Sequence, residues 1–108
     1  MTVEQPDVVD FVARDAEAKT LLLVVSDHLA WDDIKQHLYS LQEKLNCYFA
    51  FIESGELAAK YPEAVDHKIR IEIVLKHAPP SAATWFFEKT RAVSEAANLS
   101  LNWRVLEL

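Results

Sequence analysis

With 108 residues, 51% of them apolar, and a formal charge of -6, the chain is sized for one core spanning 1–108 and is too acidic to be drawn to nucleic acid or to an anionic membrane surface. Cys47 is its single cysteine, which excludes an internal disulfide and a multi-cysteine zinc site and suits a reducing cytoplasm. The opening MTVEQPDVVD lacks the basic start and apolar run of a signal peptide, and no stretch approaches the roughly 20 apolar residues that cross a bilayer.

In chain order, Val8 to Ala13 (VVDFVA) is short, partly alternating and β-branched, and Leu21 to Val25 (LLLVV) is continuously apolar. Both read as strands, the second buried on two faces and therefore central. The polar RDAEAK between them is short enough for a hairpin, which pairs them antiparallel. From Ile34 the apolar residues fall at 34, 38, 41, 45, 48, 49 and 52, one stripe along a helix of about five turns. Gly55, the only glycine, follows at once and supplies the left-handed residue that closes such a helix.

ELAAKYPEAVD, Glu56 to Asp66, is a connector with room for one helical turn before Tyr61-Pro62. HKIRIEIVLKH then alternates, Ile69, Ile71, Ile73 and Leu75 on one face and Lys68, Arg70, Glu72 and Lys76 on the other, the pattern of a strand with one wet side. Pro79-Pro80 stops it, and Ser81 is a good N-cap for a second helix running to about Ala97, with Ala83, Phe86, Phe87, Thr90, Val93 and Ala97 inward. A last strand in LNWRVLEL turns Leu101, Trp103 and Val105 in and Asn102 and Arg104 out. The order β-β-α-β-α-β with polar outer strand faces predicts an α+β fold, an α/β two-layer sandwich: a four-stranded mixed sheet with two helices packed on one face.

The densest run of chemistry is SDHLAWDD, Ser26 to Asp33, followed by His37. Asp27, His28, Asp32, Asp33 and His37 could supply acid-base groups or metal ligands if they met in one cleft. Spacing argues against it. His28 and His37 on one helix point to opposite sides, and His67 and His77 at the two ends of a strand lie roughly 33 Å apart. Asp33 and His37 share a ridge, but nothing nominates a third ligand. A helix entrance explains the run more simply: Ser26 or Asp27 accepts unpaired backbone N–H groups, Asp32 and Asp33 favour the positive end of the helix dipole, and Trp31 at the stripe's edge covers the core. His28 meets solvent or pairs with Asp32.

No nucleophile elbow or phosphate loop is present, and Cys47 falls on the polar side of the first helix with no histidine one turn away. No catalytic residue, metal site or cofactor is assigned on these grounds. Two other features suit a contact surface: Trp85, beside Ala92 and Ala96 on a helix side the core does not need, and the outer sheet face with Lys68, Arg70, Lys76 and Arg104. The reading is a non-enzymatic interaction module that binds a protein partner or itself, with homodimer formation through Trp85, Ala92, Arg70 and Arg104, the alternative being a metal-binding or acid-base enzyme built on the Asp27 to His37 cluster.

SDHLAWDD, LQEKLNCYFAFIESGEL, YPEA and the strand before Pro79-Pro80 together resemble a family of small bacterial proteins of about this length classed as a domain of unknown function. The resemblance covers nearly the whole chain and implies a bacterial, cytosolic, single-domain protein; it carries no reaction, cofactor or catalytic residue. Members of that family close the second helix with Ala-Gly where this chain has Ala97-Asn98, and asparagine is the next best residue for a left-handed turn.

Overall fold

The computed structural model describes residues 11–15 and 17–106. Its elements are β1 (Phe11–Asp15), β2 (Thr20–Asp27), α1 (Ile34–Glu53), α2 (Glu56–Lys60), β3 (Lys68–Leu75), α3 (Thr84–Ala96) and β4 (Ser100–Val105), with 3-10 turns at Pro62–Val65 and Ser81–Ala83. One mixed sheet runs in the order β1-β2-β3-β4, with β1 antiparallel to β2 and with β2, β3 and β4 parallel. This is the α+β arrangement expected, and α2 is the helical turn anticipated before Tyr61-Pro62. Residues 8–10, assigned to the first strand from sequence, lie outside the described residues, as do 107 and 108 at the end of the last.

Side-chain alternation along the strands sets the layers. Leu21, Leu23 and Val25 of β2, Ile71, Ile73 and Leu75 of β3 and Leu101 of β4 are buried in one cluster with Leu41, Leu45 and Tyr48 of α1 and Phe86 and Phe87 of α3. Both long helices therefore share the core with the same sheet face. Leu22 and Val24, on the opposite face of β2, are only half-buried, so LLLVV is not covered on both sides as its continuous apolarity suggested. The strand is internal, but no described helix joins the core from its second face. Tyr48 ties α1 to the sheet edgewise, its hydroxyl donating to the Val24 carbonyl at 2.6 Å.

The chain reversals use local chemistry. Asp15 Oδ1 accepts the Ala18 N–H (3.1 Å) and Lys19 takes a left-handed φ of 50°, which together turn β1 back into β2. After α1, Gly55 sits at φ 87°. A Cβ there would meet no atom within 4 Å, so a side chain is opposed by backbone conformation alone. Gly55→Ala is expected to lose about 1–2 kcal/mol of unfolding free energy and Gly55→Asn less; a urea midpoint shift with unchanged slope checks both.

Two expectations about α3 are corrected. Ser81 does not cap the helix; it begins the 3-10 turn, and α3 starts at Thr84 with no side-chain cap. Inward residues are Ala83, Phe86, Phe87 and Ser94, with Thr90 half-buried, whereas Val93 is 54% exposed and Ala97 is exposed. Ser94 is buried where Val93 is exposed, and on the same helix the Arg91 guanidinium lies 4.3 Å from the Trp103 ring of β4. Asn98 takes the left-handed turn at φ 62°, and the Leu99 N–H returns to the Ser94 carbonyl at 2.9 Å, closing the helix as glycine would have done.

Candidate functional site

The alternation that buries Leu21, Leu23 and Val25 continues one step further, to Asp27 at the carboxyl end of β2. On α1, His37 lies one turn before Leu41 on the buried stripe. Strand and helix thus deliver a carboxylate and an imidazole to the same point beneath the 28–33 connection, and each is 2% exposed.

His37 Nε2 is in direct hydrogen-bond contact with Asp27 Oδ2. The other carboxylate oxygen, Oδ1, accepts the Leu29 N–H at 3.0 Å, and His37 Nδ1 lies 3.2 Å from the Ala30 carbonyl. An imidazole with hydrogen on both nitrogens serves both acceptors, whereas one with a single N–H serves one of them. Trp31 lies flat on the imidazole, with ring centroids 3.7 Å apart and planes 18° from parallel. Its indole Nε1 donates to the His77 carbonyl at 3.1 Å beyond the end of β3, and its edge meets Phe87 of α3. The connection is clasped from strand, helix and neighbouring loop at once, and Trp31 covers the core as expected of it.

The remaining members of the sequence cluster go elsewhere. Asp33 is the N-cap of α1, its Oδ1 accepting the Gln36 N–H at 3.1 Å, the capping role that sequence reasoning had placed at Ser26 or Asp27. Asp33 and His37, the pair left standing as metal ligands by helical spacing, do not act together: one faces the helix start and the other faces Asp27. His28 and Asp32 are exposed. Among the described residues no three His, Cys, Asp or Glu side chains are placed to hold a metal ion. Missed from sequence was the meeting of Asp27 with His37, although the parity of β2 and the 37-41-45-48 spacing of α1 put each of them on the buried face of its own element. Lys44 was also missed; it is fully buried, with Nζ 5.7 Å from the Tyr48 ring centre.

The candidate contact residues fall on two separate surfaces. Trp85 is 56% exposed and Ala92 is exposed, both on the solvent side of the helix layer. Between α3 and α1 lies a hollow of about 250 Å³ lined by Leu45, Phe49, Trp85, Phe86 and Val93, with Gln42, Asn46, Lys89 and Thr90 completing it. Tyr39 stands exposed on α1 one turn before Glu43, and its hydrogen bond to that carboxylate holds the phenol pKa above the ordinary tyrosine value. Arg70 and Arg104 are on the other layer, on the outer sheet face. Arg104 pairs there with Glu72, and with the Asn102 amide turned to suit its neighbours its oxygen accepts from Arg70 Nε at 3.0 Å.

No described helix is long and apolar enough to cross a membrane. No curated protein and no solved structure matches the chain. What does match is a family of unknown function, DUF6572, whose pattern extends over residues 1–107 and so over every element above; the chain belongs to that family.

Proposed function

We propose that the protein is a non-enzymatic, single-domain interaction module of the cytoplasm, which associates with a second copy of itself through the solvent side of α3. The observation that carries this reading is a knob beside a hole: Trp85 projects at the rim of the α1–α3 hollow, on the same face. Under a two-fold axis such a face complements itself, since the Trp85 of each copy enters the hollow of the other and residue i meets j as j meets i. Indole supplies the large, amphipathic anchor that concentrates binding energy at interfaces, and Leu45, Phe49, Phe86 and Val93 give it apolar walls. Half-buried Cys47 in a reducing compartment has no disulfide to form.

Sedimentation velocity tests the proposal. Wild type should sediment as a dimer, and more completely as salt rises, because two chains of charge -6 repel one another. Trp85→Ala should leave a folded monomer, with dimer affinity at least about tenfold weaker, since a central tryptophan is typically worth 2 kcal/mol or more. Arg70→Glu and Arg104→Glu, on the opposite layer, should leave the dimer intact. A monomeric wild type at high concentration and high salt rejects the reading.

A further inference from the structure

We propose that the outer edge of β4 is a separate binding site, a strand-addition edge for an extended peptide segment that carries a carboxylate side chain, with Arg91 as the anchor for that carboxylate. This does not depend on self-association through Trp85, which lies on another side of α3.

β4 ends the sheet, and among the described residues no strand pairs with its outer side. The Leu106 N–H donates to the Leu75 carbonyl at 2.8 Å, which fixes the parity of the ladder. Backbone groups alternate in direction along a strand, so those of Leu101, Trp103 and Val105 point outward; the Asn102 amide, in the orientation that serves Arg70, donates to the Leu101 carbonyl at 3.2 Å, which leaves three donors and the carbonyls of Trp103 and Val105 along the edge. Natural edges are blunted by proline, lysine or a bulge. SLNWRV has neither proline nor lysine, its register to β3 is unbroken, and its one cation, Arg104, is tied inward to Glu72.

Beside this edge is a hollow of about 340 Å³ bounded by Arg91, Glu95, Ser100, Leu101 and Asn102. The Arg91 guanidinium carbon lies 4.3 Å from the Trp103 ring centre, and its Nε is buried with no hydrogen-bond partner. Among the described residues no carboxylate pairs with it. A buried donor on a cation is costly to leave unmet, and a planar guanidinium matches a carboxylate in shape and charge. Glu95 on the rim sets the sign of the selection: one guanidinium next to one carboxylate tolerates a singly charged anion better than a phosphate dianion. The asparagine at 102 is occupied by Arg70, which leaves the Ser100 hydroxyl as the neutral polar group of the hollow. An extended segment paired to β4 alternates its side chains, so every second one rises on the α3 side, where Arg91 waits.

The probe is a short acetylated peptide of alternating valine and threonine with a central glutamate, titrated into the isotope-labelled whole chain, alongside its glutamine counterpart. Amide signals of Leu101, Trp103 and Val105 should shift and gain protection from exchange, and the glutamine peptide should bind about tenfold more weakly. Arg91→Gln should reduce the glutamate peptide to the affinity of the glutamine one. Because that variant also uncovers Trp103, Val105→Pro provides an independent arm: it removes an outward donor while leaving the ladder to β3 whole, and should weaken both peptides alike. Trp85→Ala should change none of these results. The proposal is overturned by unshifted edge amides, by equal affinity for the two peptides, or by edge shifts that follow protein concentration without peptide, which would mean that β4 pairs with a second copy instead.

Discussion

Asp27→Ala is expected to lower the unfolding free energy by about 2–6 kcal/mol, since it takes the acceptor from two donors at about 1–3 kcal/mol each. The substitution strands His37 Nε2, leaves the Leu29 N–H without its acceptor and opens space under Trp31. His37→Ala should lose a similar amount for the converse reason: Asp27 stays buried with one backbone donor in place of two partners. Because both variants break the same link, the double variant should fall well short of their sum, with a coupling of about 0.5–3 kcal/mol in the cycle. Asp33→Ala, which removes only an exposed cap from the same loop, should lose about 1 kcal/mol. Urea unfolding followed by circular dichroism measures all four. If Asp27→Ala is no worse than Asp33→Ala, the clasp contributes nothing beyond ordinary surface chemistry.

Phe87→Ala is expected to be the other severe change, at about 3–5 kcal/mol, through lost apolar transfer and the cavity left behind. Phe87 is fully buried and is the meeting point of the aromatic groups, edge-on to Phe86 at 5.6 Å and to Trp31 at 6.3 Å and tilted against Trp103 at 5.2 Å. A void there loosens α3 from β4 and the clasp from the core together. The check is the unfolding midpoint with far-ultraviolet dichroism of the folded baseline. A loss under about 1 kcal/mol, the size of an ordinary substitution, would show that the aromatic cluster repacks around the gap.

The fold was legible from the sequence wherever one face alone had to be buried. Ile69, Ile71, Ile73 and Leu75 reported their face directly, and the three-four steps from Ile34 to Ile52 marked the whole of α1, because periodicity is what a two-layer packing demands of each element. LLLVV misled for the opposite reason: apolar residues on the outer face need no helix above them when they sit in the interior of a sheet. Val93 and Ser94 were exchanged because neighbouring positions on a helix differ by only 100° of rotation, and the contact of Arg91 with Trp103 on β4 is a tertiary one that no spacing within α3 records. The same limit hid the Asp27–His37 pair. Each residue's face could be inferred from its own element, but their meeting depends on where α1 lands on β2, and no spacing within either segment records it. Trp85 showed itself from sequence as an apolar residue on a side the core did not use; the hollow beside it, made by two helices far apart in the chain, did not.

The order of pairing in the sheet has a consequence for how the chain reaches this state. Only β1 and β2 are neighbours in sequence and can zip together as a hairpin, whereas β2 meets β3, and β3 meets β4, only after an intervening helix has closed a long loop. Parallel pairings of this kind are the slow, nonlocal kind, so the hairpin and α1 are the nucleus available early and β4 docks last. Until it does, the flank of β3 is a bare strand edge open to wrong pairing during synthesis.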